Sequence, residues 1–416
     1  MNKIVHYLPN HNAYELTPIA NNIIRIRYNA SGIFPETLTE RYELLNFTCE
    51  EVATEQTKTD EGIEICAGEI IVSIKNDTSF SISSAGKTVI ENIEPFSPQE
   101  QNGCGAKIKI FDEERFYGCG YRPNDGIELR GQVVKNWCTP VANNGPSTWI
   151  LSSGGWGLLW NNTSETYFDV GHRQPDKLIT WSSLGEMDFF IVLGGFKQLI
   201  KGYTSLTGTS SLMPRFGYGI TVVNNEAEDQ NSLFAKAERI REEKIPCDTF
   251  SVSCEWMSKY YDVSVNQKFD TSKYFVEDWM DSEDQTFIGA LKNKGIKTTL
   301  WTPCRYDLTH EQERRYYAKH PEKKVAPLYE RSERKTENYA LSIEQKERNF
   351  YDDKMFRTMR TDPYTVVDQA WAEHFKKYFD IGVIGIAEDG SYVETAKLDY
   401  CYGNGYTYRE MHNLNQ

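Results

Sequence analysis

Two adjacent carboxylates, Glu388 and Asp389, carry the most pointed chemistry in this chain of 416 residues. They close the stretch Gly382-Val-Ile-Gly-Ile-Ala-Glu-Asp-Gly390. Its apolar run, residues 383–387, is too short for a helix and shows no polar alternation. That is the pattern of a parallel-sheet strand covered on both faces. Gly390 follows at once and turns the chain. A carboxylate at the C-terminal end of such a strand stands where α/β barrels place their reacting groups, and there it can attack an electrophile or move a proton. Taken alone, the stretch also reads as a strand followed by an acidic turn, so the elements around it decide.

Those elements come in two textures. Up to about residue 212 the chain reads as β-structure. Asn22-Ile-Ile-Arg-Ile-Arg-Tyr28 alternates after Ile23. Residues 69–75 and 79–83 alternate too, with a tight turn at Asn76-Asp77. Phe116-Tyr-Gly-Cys-Gly120 and Leu129-Arg-Gly131 follow, then a hairpin predicted around Gly154-Gly155 between Trp149 and Trp160. Residues 177–193 predict a further strand pair with its turn at Leu184-Gly185. Turn signals at this spacing predict a β-sandwich over residues 1–212. Helical periodicity first shows at Gly195–Tyr203.

From Met213 the order becomes strand, helix, strand. Residues 217–223, 247–253, 296–301 and 383–387 read as strands. Residues 229–244, 287–294 and 370–379 read as helices between them, and Gly295 suits the position just past a helix end. This is a (β/α) barrel in progress over residues 213–416. The charged, Tyr-rich stretch at about 304–365 reads as an elaborated loop. Besides Asp389, the residues ending these strands are Ser253, Glu255, Trp256 and Trp301.

Composition narrows the partners. A net charge of −14 argues against nucleic acid or an anionic membrane surface. The N-terminus shows no signal-peptide run, and no stretch is long and apolar enough to span a bilayer. Nine Cys are scattered without a Cys-x-x-Cys pair, which predicts free thiols in a reducing cytoplasm. The seven His are dispersed too, so no metal site and no cofactor is expected. Aromatics make up 13% of the chain, which suits sugar stacking and a large β-rich core alike.

Taken in order, Phe116-Tyr-Gly-Cys-Gly120, Leu129-Arg-Gly131, Ser205-Leu-Thr-Gly-Thr-Ser-Ser-Leu-Met-Pro214, Ile245-Pro-Cys-Asp248, Cys254-Glu-Trp-Met257, Gly295-Ile-Lys-Thr-Thr-Leu-Trp-Thr-Pro303 and Gly385-Ile-Ala-Glu-Asp-Gly390 resemble glycoside hydrolase family 31, the α-glucosidase and α-xylosidase group. The resemblance runs over nearly the whole chain. It implies a galactose-mutarotase-like N-terminal sandwich, a (β/α)8 catalytic barrel and an α-linked oligosaccharide or glycoside as substrate. It also implies a retaining mechanism, with the family's nucleophilic Asp falling on Asp389. Retention needs a second, protonated carboxyl about 5–5.5 Å from the nucleophile. Glu388 is a poor second group, because neighbouring strand residues point to opposite faces. Trp301 and Trp256 match aromatic positions of the family's sugar pocket, and barrel packing is the competing role for each. Glu255 reads evenly as a sugar-hydroxyl ligand or a solvated loop charge.

Two departures qualify the implied function. The family usually places a sugar-binding Asp two residues before Glu255, and here that residue is Ser253. About four barrel strands are legible, and the family's general acid lies past the fourth. The expectation is therefore an incomplete barrel that lacks the acid and that alone is poorly soluble or needs a second chain. A non-catalytic carbohydrate-binding protein and an α-glucan lyase or transferase of the same family remain alternatives.

Overall fold

Strand Ile23–Asn29 turns Ile24 and Ile26 into the apolar layer between two sheets and Arg25 and Arg27 to the opposite face. That second face is not wet. Arg25 and Arg27 are both buried, because the chain from Phe34 to Glu40 folds across them. Arg27 lies 5.2 Å over the Phe34 ring and donates to the Pro35 carbonyl at 2.6 Å. Arg25 forms a two-pronged pair with Asp188, at 2.8 and 2.6 Å, and reaches Glu40 at 2.5 Å. Arg27 pairs with Glu15 at 3.1 Å and with Glu186. Alternation at this strand therefore separates an aliphatic layer from a layer of paired charges, not from solvent.

This protein is described by a computed structural model over residues 3–9, 11–97, 103–122, 126–138, 145–224, 228–258, 267–277, 279–280, 282–303, 309–323, 371–389 and 406–415. The chain divides into two compact units, Met1–Ser210 with Thr407–Leu414, and Ser211–Tyr406. The first unit is two antiparallel sheets. Seven strands run edge to edge as Ile4–Tyr7, Ala13–Ala20, Ile23–Asn29, Met187–Leu193, Trp156–Trp160, Gly145–Ser152 and Phe116–Tyr121. Nine more run from Val133–Asn136 at one edge to Thr54–Thr59 at the other. Ile26, Ile65, Val72, Phe116, Trp160 and Ile191 from both sheets fill one shared core. The hairpin around Gly154-Gly155 is present, pairing Ser152 with Trp156.

The strand pair predicted over residues 177–193 is not a pair. Lys177–Ser182 bonds within the nine-stranded sheet, and Met187–Leu193 bonds within the seven-stranded one. The turn at Leu184-Gly185 carries the chain from sheet to sheet. Both strands bury a face in the common core, so their periodicity could not distinguish a hairpin from a crossover. The last helix, Tyr408–Asn415, groups with this unit. Its Asn413 accepts from the Cys138 amide at 3.0 Å, and the Glu410 carbonyl accepts from the Thr163 hydroxyl at 2.6 Å.

The second unit contains four parallel strands in sequential order: β1 (Ile220–Val223), β2 (Cys247–Val252), β3 (Lys297–Pro303) and β4 (Val383–Asp389). Helices α1 (Gln230–Glu242) and α2 (Phe287–Asn293) connect the first three. Asp229 caps α1 by accepting from the Ser232 amide at 2.9 Å. Gly295 follows α2 at φ +75°, the left-handed exit a non-glycine residue resists. Leu233 and Ala237 of α1 and Phe287 and Leu291 of α2 pack with Phe250, Val252 and Leu300. Parallel strand–helix–strand repetition of this kind is the start of a barrel. The stretch expected as a loop at about 304–365 lies largely outside the described residues, but within it Thr309–Lys319 is a helix. The charged, Tyr-rich composition had hidden that helix.

Candidate active site

Register decides which side of the barrel sheet faces a site. Phe250 pairs with Thr298, and Val252 with Leu300. These positions form the helix-packed set. The alternate positions on β3 are Lys297, Thr299 and Trp301, and all three are half-buried where their neighbours are fully buried. On β4, Trp301 stands in register with Ala387, Thr302 with Glu388 and Pro303 with Asp389. By alternation the Asp389 position belongs with Trp301, and the Glu388 position belongs with Thr302 on the helix-packed set. Gly390 and the side chains of Glu388 and Asp389 lie outside the described residues.

Four strand ends form one edge, where α/β barrels carry their chemistry. Asn224 follows β1 directly, and its Oδ1 accepts from the Ser253 amide just past β2 at 2.5 Å. Asn224 Nδ2 donates to the Tyr274 hydroxyl at 3.3 Å, and that hydroxyl donates to the Glu228 carbonyl at 3.2 Å. Burial first, then the nearby charge of Glu255, holds the Tyr274 phenol well above its ordinary pKa. Asn224 and Tyr274 were not singled out from sequence. Asn224 was findable, since it stands just past the first predicted strand as Ser253 stands past the second. Tyr274 sits between elements, without a periodic signal.

Ser253 is half-buried and opens a single 3-10 turn, Cys254–Trp256. Within that turn the structure separates the two remaining predictions. Glu255 is not a solvated loop charge. It is 4% exposed, its Oε1 accepts from the Cys254 thiol at 3.0 Å, and its Oε2 has no hydrogen-bond partner. Trp256 is not a sugar platform. It is fully buried, with Phe269 at 4.8 Å and Tyr378 at 5.3 Å between ring centroids. Its Nε1 donates to the Trp301 carbonyl at 2.7 Å. No face of the indole is left for a pyranose, so its role is to fix the end of β3. Trp301, half-buried, stands at that strand end and packs in part against the same apolar cluster. Behind the sheet, Gln267 pairs with the buried Thr302 hydroxyl at 2.9 Å, and its carbonyl accepts from the Tyr378 hydroxyl at 2.6 Å.

Comparison with known proteins gives this arrangement a family. Residues 13–169 match the model of the glycosyl hydrolase 31 N-terminal galactose mutarotase-like domain, and residues 210–416 match that of the glycosyl hydrolases family 31 TIM-barrel domain. The chain belongs to glycoside hydrolase family 31. Its fold is a sandwich-like N-terminal domain followed by a TIM-barrel domain. The family 31 chain is 21% identical over 259 residues to the α-xylosidase XylQ of Lactiplantibacillus pentosus, covering 58% of this chain and 32% of that protein. Among solved structures it superimposes with a TM-score of 0.71 on a Flavobacterium johnsoniae dextranase complexed with isomaltotriose, at 16% identity, covering 100% of this chain and 50% of that one. A soil-metagenome α-xylosidase complexed with xylose gives 0.70 at 15% identity, covering 100% and 60%. The chain thus spans about a third of the curated relative and half or more of the solved chains. Members of the family are glycosidases.

Proposed function

We propose that this family 31 chain takes part in retaining hydrolysis of α-glucosides or α-xylosides, with Asp389 as nucleophile. The observation that carries the reading is the register of β4: Asp389 ends a parallel strand opposite Pro303, and alternation places its position on the same face as Trp301 and not with Glu388. An ionised carboxylate there attacks the anomeric carbon and displaces the leaving oxygen, which takes a proton from a second carboxyl. Water then hydrolyses the covalent glycosyl-enzyme, and the configuration is retained. Trp301 covers the apolar C–H face of the sugar, and the small Ala387 beside it in register leaves room. Ser253, half-buried on the same edge, has a hydroxyl to offer the sugar in place of a carboxylate.

Strand β1 supports a further part of the proposal. Ile220 and Val223 are 46% and 64% exposed on an edge of a parallel sheet, a class normally covered on both sides. Additional barrel strands, on the same polypeptide or on a second one, complete the sheet and bring the acid. The nine dispersed cysteines suit a reducing cytoplasm. The test is proton NMR of the sugar released from aryl α-glucosides and α-xylosides. The α-anomer is expected first, and Asp389→Ala is expected to lower kcat by roughly 10⁴-fold or more, the scale of losing a nucleophile. A β-anomer as first product, or an unaffected D389A variant, contradicts the proposal. Sugar binding without any turnover points instead to a carbohydrate-binding role.

A further inference from the structure

Where one strand of a parallel pair ends, the next amides of its partner need acceptors from elsewhere. That situation arises at the end of β1. The Asn224 amide donates to the Ser251 carbonyl of β2 at 3.2 Å, still a backbone pairing. The Ser253 amide, two residues on, goes instead to the Asn224 side chain, whose Oδ1 accepts it at 2.5 Å. Nδ2 of the same carboxamide donates to the Tyr274 hydroxyl at 3.3 Å, and that hydroxyl donates to the Glu228 carbonyl at 3.2 Å. Tyr274 is anchored in turn. It is fully buried, its ring centroid is 5.1 Å from that of Phe287 in α2, and the neighbouring Phe275 amide donates to the Gln230 side chain of α1 at 2.7 Å. One carboxamide, 5% exposed, joins the ends of β1 and β2 to both helices. The turn it holds closes on Trp256, whose Nε1 donates to the Trp301 carbonyl at 2.7 Å. Contacts therefore run from Asn224 through the Ser253–Trp256 turn to Trp301 at the end of β3.

We infer that Asn224 is a positioning residue for sugar binding: its carboxamide fixes the turn after β2 and, through Trp256, the place of Trp301, without itself touching the sugar. The inference rests on the glycosidase reading above and adds to it the side chain that holds the binding edge in place. A buried polar side chain is costly unless its donor and acceptor are both met, and here both are met by groups of that edge. Only a carboxamide, or a carboxyl of the same shape, can accept from Ser253 and meet Tyr274 at once.

The experiment is labelling by an activated fluoro-sugar α-glycosyl fluoride, followed by intact mass against time and reagent concentration. It compares the wild type with Asn224→Leu, Asn224→Asp and Tyr274→Phe, alongside melting curves of each protein. Three quantities are read separately: the saturated labelling rate, the half-saturating concentration and the fraction finally labelled. Asn224→Leu is expected to raise the half-saturating concentration about ten- to a hundredfold, the scale of a misplaced binding group. Its saturated rate should stay within about threefold of the wild type, since the nucleophile stands on β4, three strands from Asn224. Asn224→Asp keeps the shape and the acceptor, and should restore half-saturation to within about threefold of the wild type. Tyr274→Phe keeps the Ser253 bond and should raise it about two- to fivefold. A merely structural role gives another pattern, in which melting temperature and labelled fraction fall while the folded remainder keeps the wild-type half-saturation. That pattern overturns the inference, as does an Asn224→Asp protein as impaired as Asn224→Leu. Should Asn224→Leu not fold, an unchanged half-saturation in folded Tyr274→Phe overturns it. A wild type that takes no label overturns the glycosidase reading and this inference with it, whereas a labelled wild type matched by all its variants leaves that reading standing.

Discussion

The sandwich and the barrel sheet treat their two faces differently. In the sandwich both faces of strand Ile23–Asn29 are buried, one by Ile24 and Ile26 among aliphatics and the other by Arg25 and Arg27 in paired charges. In the barrel sheet one face is packed by α1 and α2 through Phe250, Val252 and Leu300, while the other keeps Thr299 and Trp301 half-exposed beside Gly385 and Ala387. The first arrangement spends its residues on rigidity. The second leaves small and polar residues on one face and the half-buried Trp301 at its end, the kind of surface that the proposed sugar site requires. A single chain thus shows what separates a scaffold from a site: whether the second face is already satisfied.

The sharpest way to break that comparison is at Asp188. It takes both prongs of Arg25 and accepts from Asn161 at 2.7 Å, all buried. Asp188→Ala leaves a buried guanidinium without its main partner and should cost about 3–5 kcal/mol of sandwich stability. Chemical denaturation measures it. A loss below about 1 kcal/mol would mean that the second face is wet after all.

At the barrel sheet the two tryptophans should part company. Trp256→Ala removes a fully buried indole and its bond to the Trp301 carbonyl, and should cost roughly 3–5 kcal/mol. Trp301→Ala removes a half-buried side chain, should cost about 1 kcal/mol, and should weaken sugar binding far more than it weakens folding. Equal stability losses for the two would erase the distinction between packing and site.

The smallest effect is a pH dependence. Burial alone would raise the Glu40 carboxyl. Hydrogen bonds and charge from Arg25, with further bonds from Thr37, outweigh burial and bring it down to about 2. Its folded pKa is therefore depressed. The stability it contributes is present above the ordinary carboxylate range and is lost as pH falls from about 4.5 towards 2. Unfolding midpoints of the wild type and Glu40→Gln should converge across that window. A constant gap down to pH 2 would contradict the pairing.

How much of this was legible in the sequence depends on what each residue had to signal. The barrel strands and helices were readable because apolar runs, caps and Gly295 act locally. The end of β4 was readable for the same reason, since a short apolar run stopping at Glu388-Asp389 needs no partner to be seen. The crossover at Leu184-Gly185 was not, because a hairpin and a sheet change leave the same alternation. Trp256 misled because an aromatic at a strand end serves packing and stacking equally, and only its neighbours Phe269 and Tyr378 choose. Glu255 read evenly as a sugar ligand or a loop charge, because burial of a carboxylate has no sequence signature. Its surroundings come from Cys254 and from Tyr274, which lies 19 positions on in the chain.

The most direct test of the account is intact-mass spectrometry after incubation with an activated fluoro-sugar α-glycosyl fluoride, whose leaving group needs little help from an acid. The account predicts a covalent adduct of one sugar, mapped by digestion to the peptide containing Asp389 and absent in Asp389→Ala. An adduct on any other carboxylate, or none on folded protein, would contradict the assignment of Asp389 as the nucleophile.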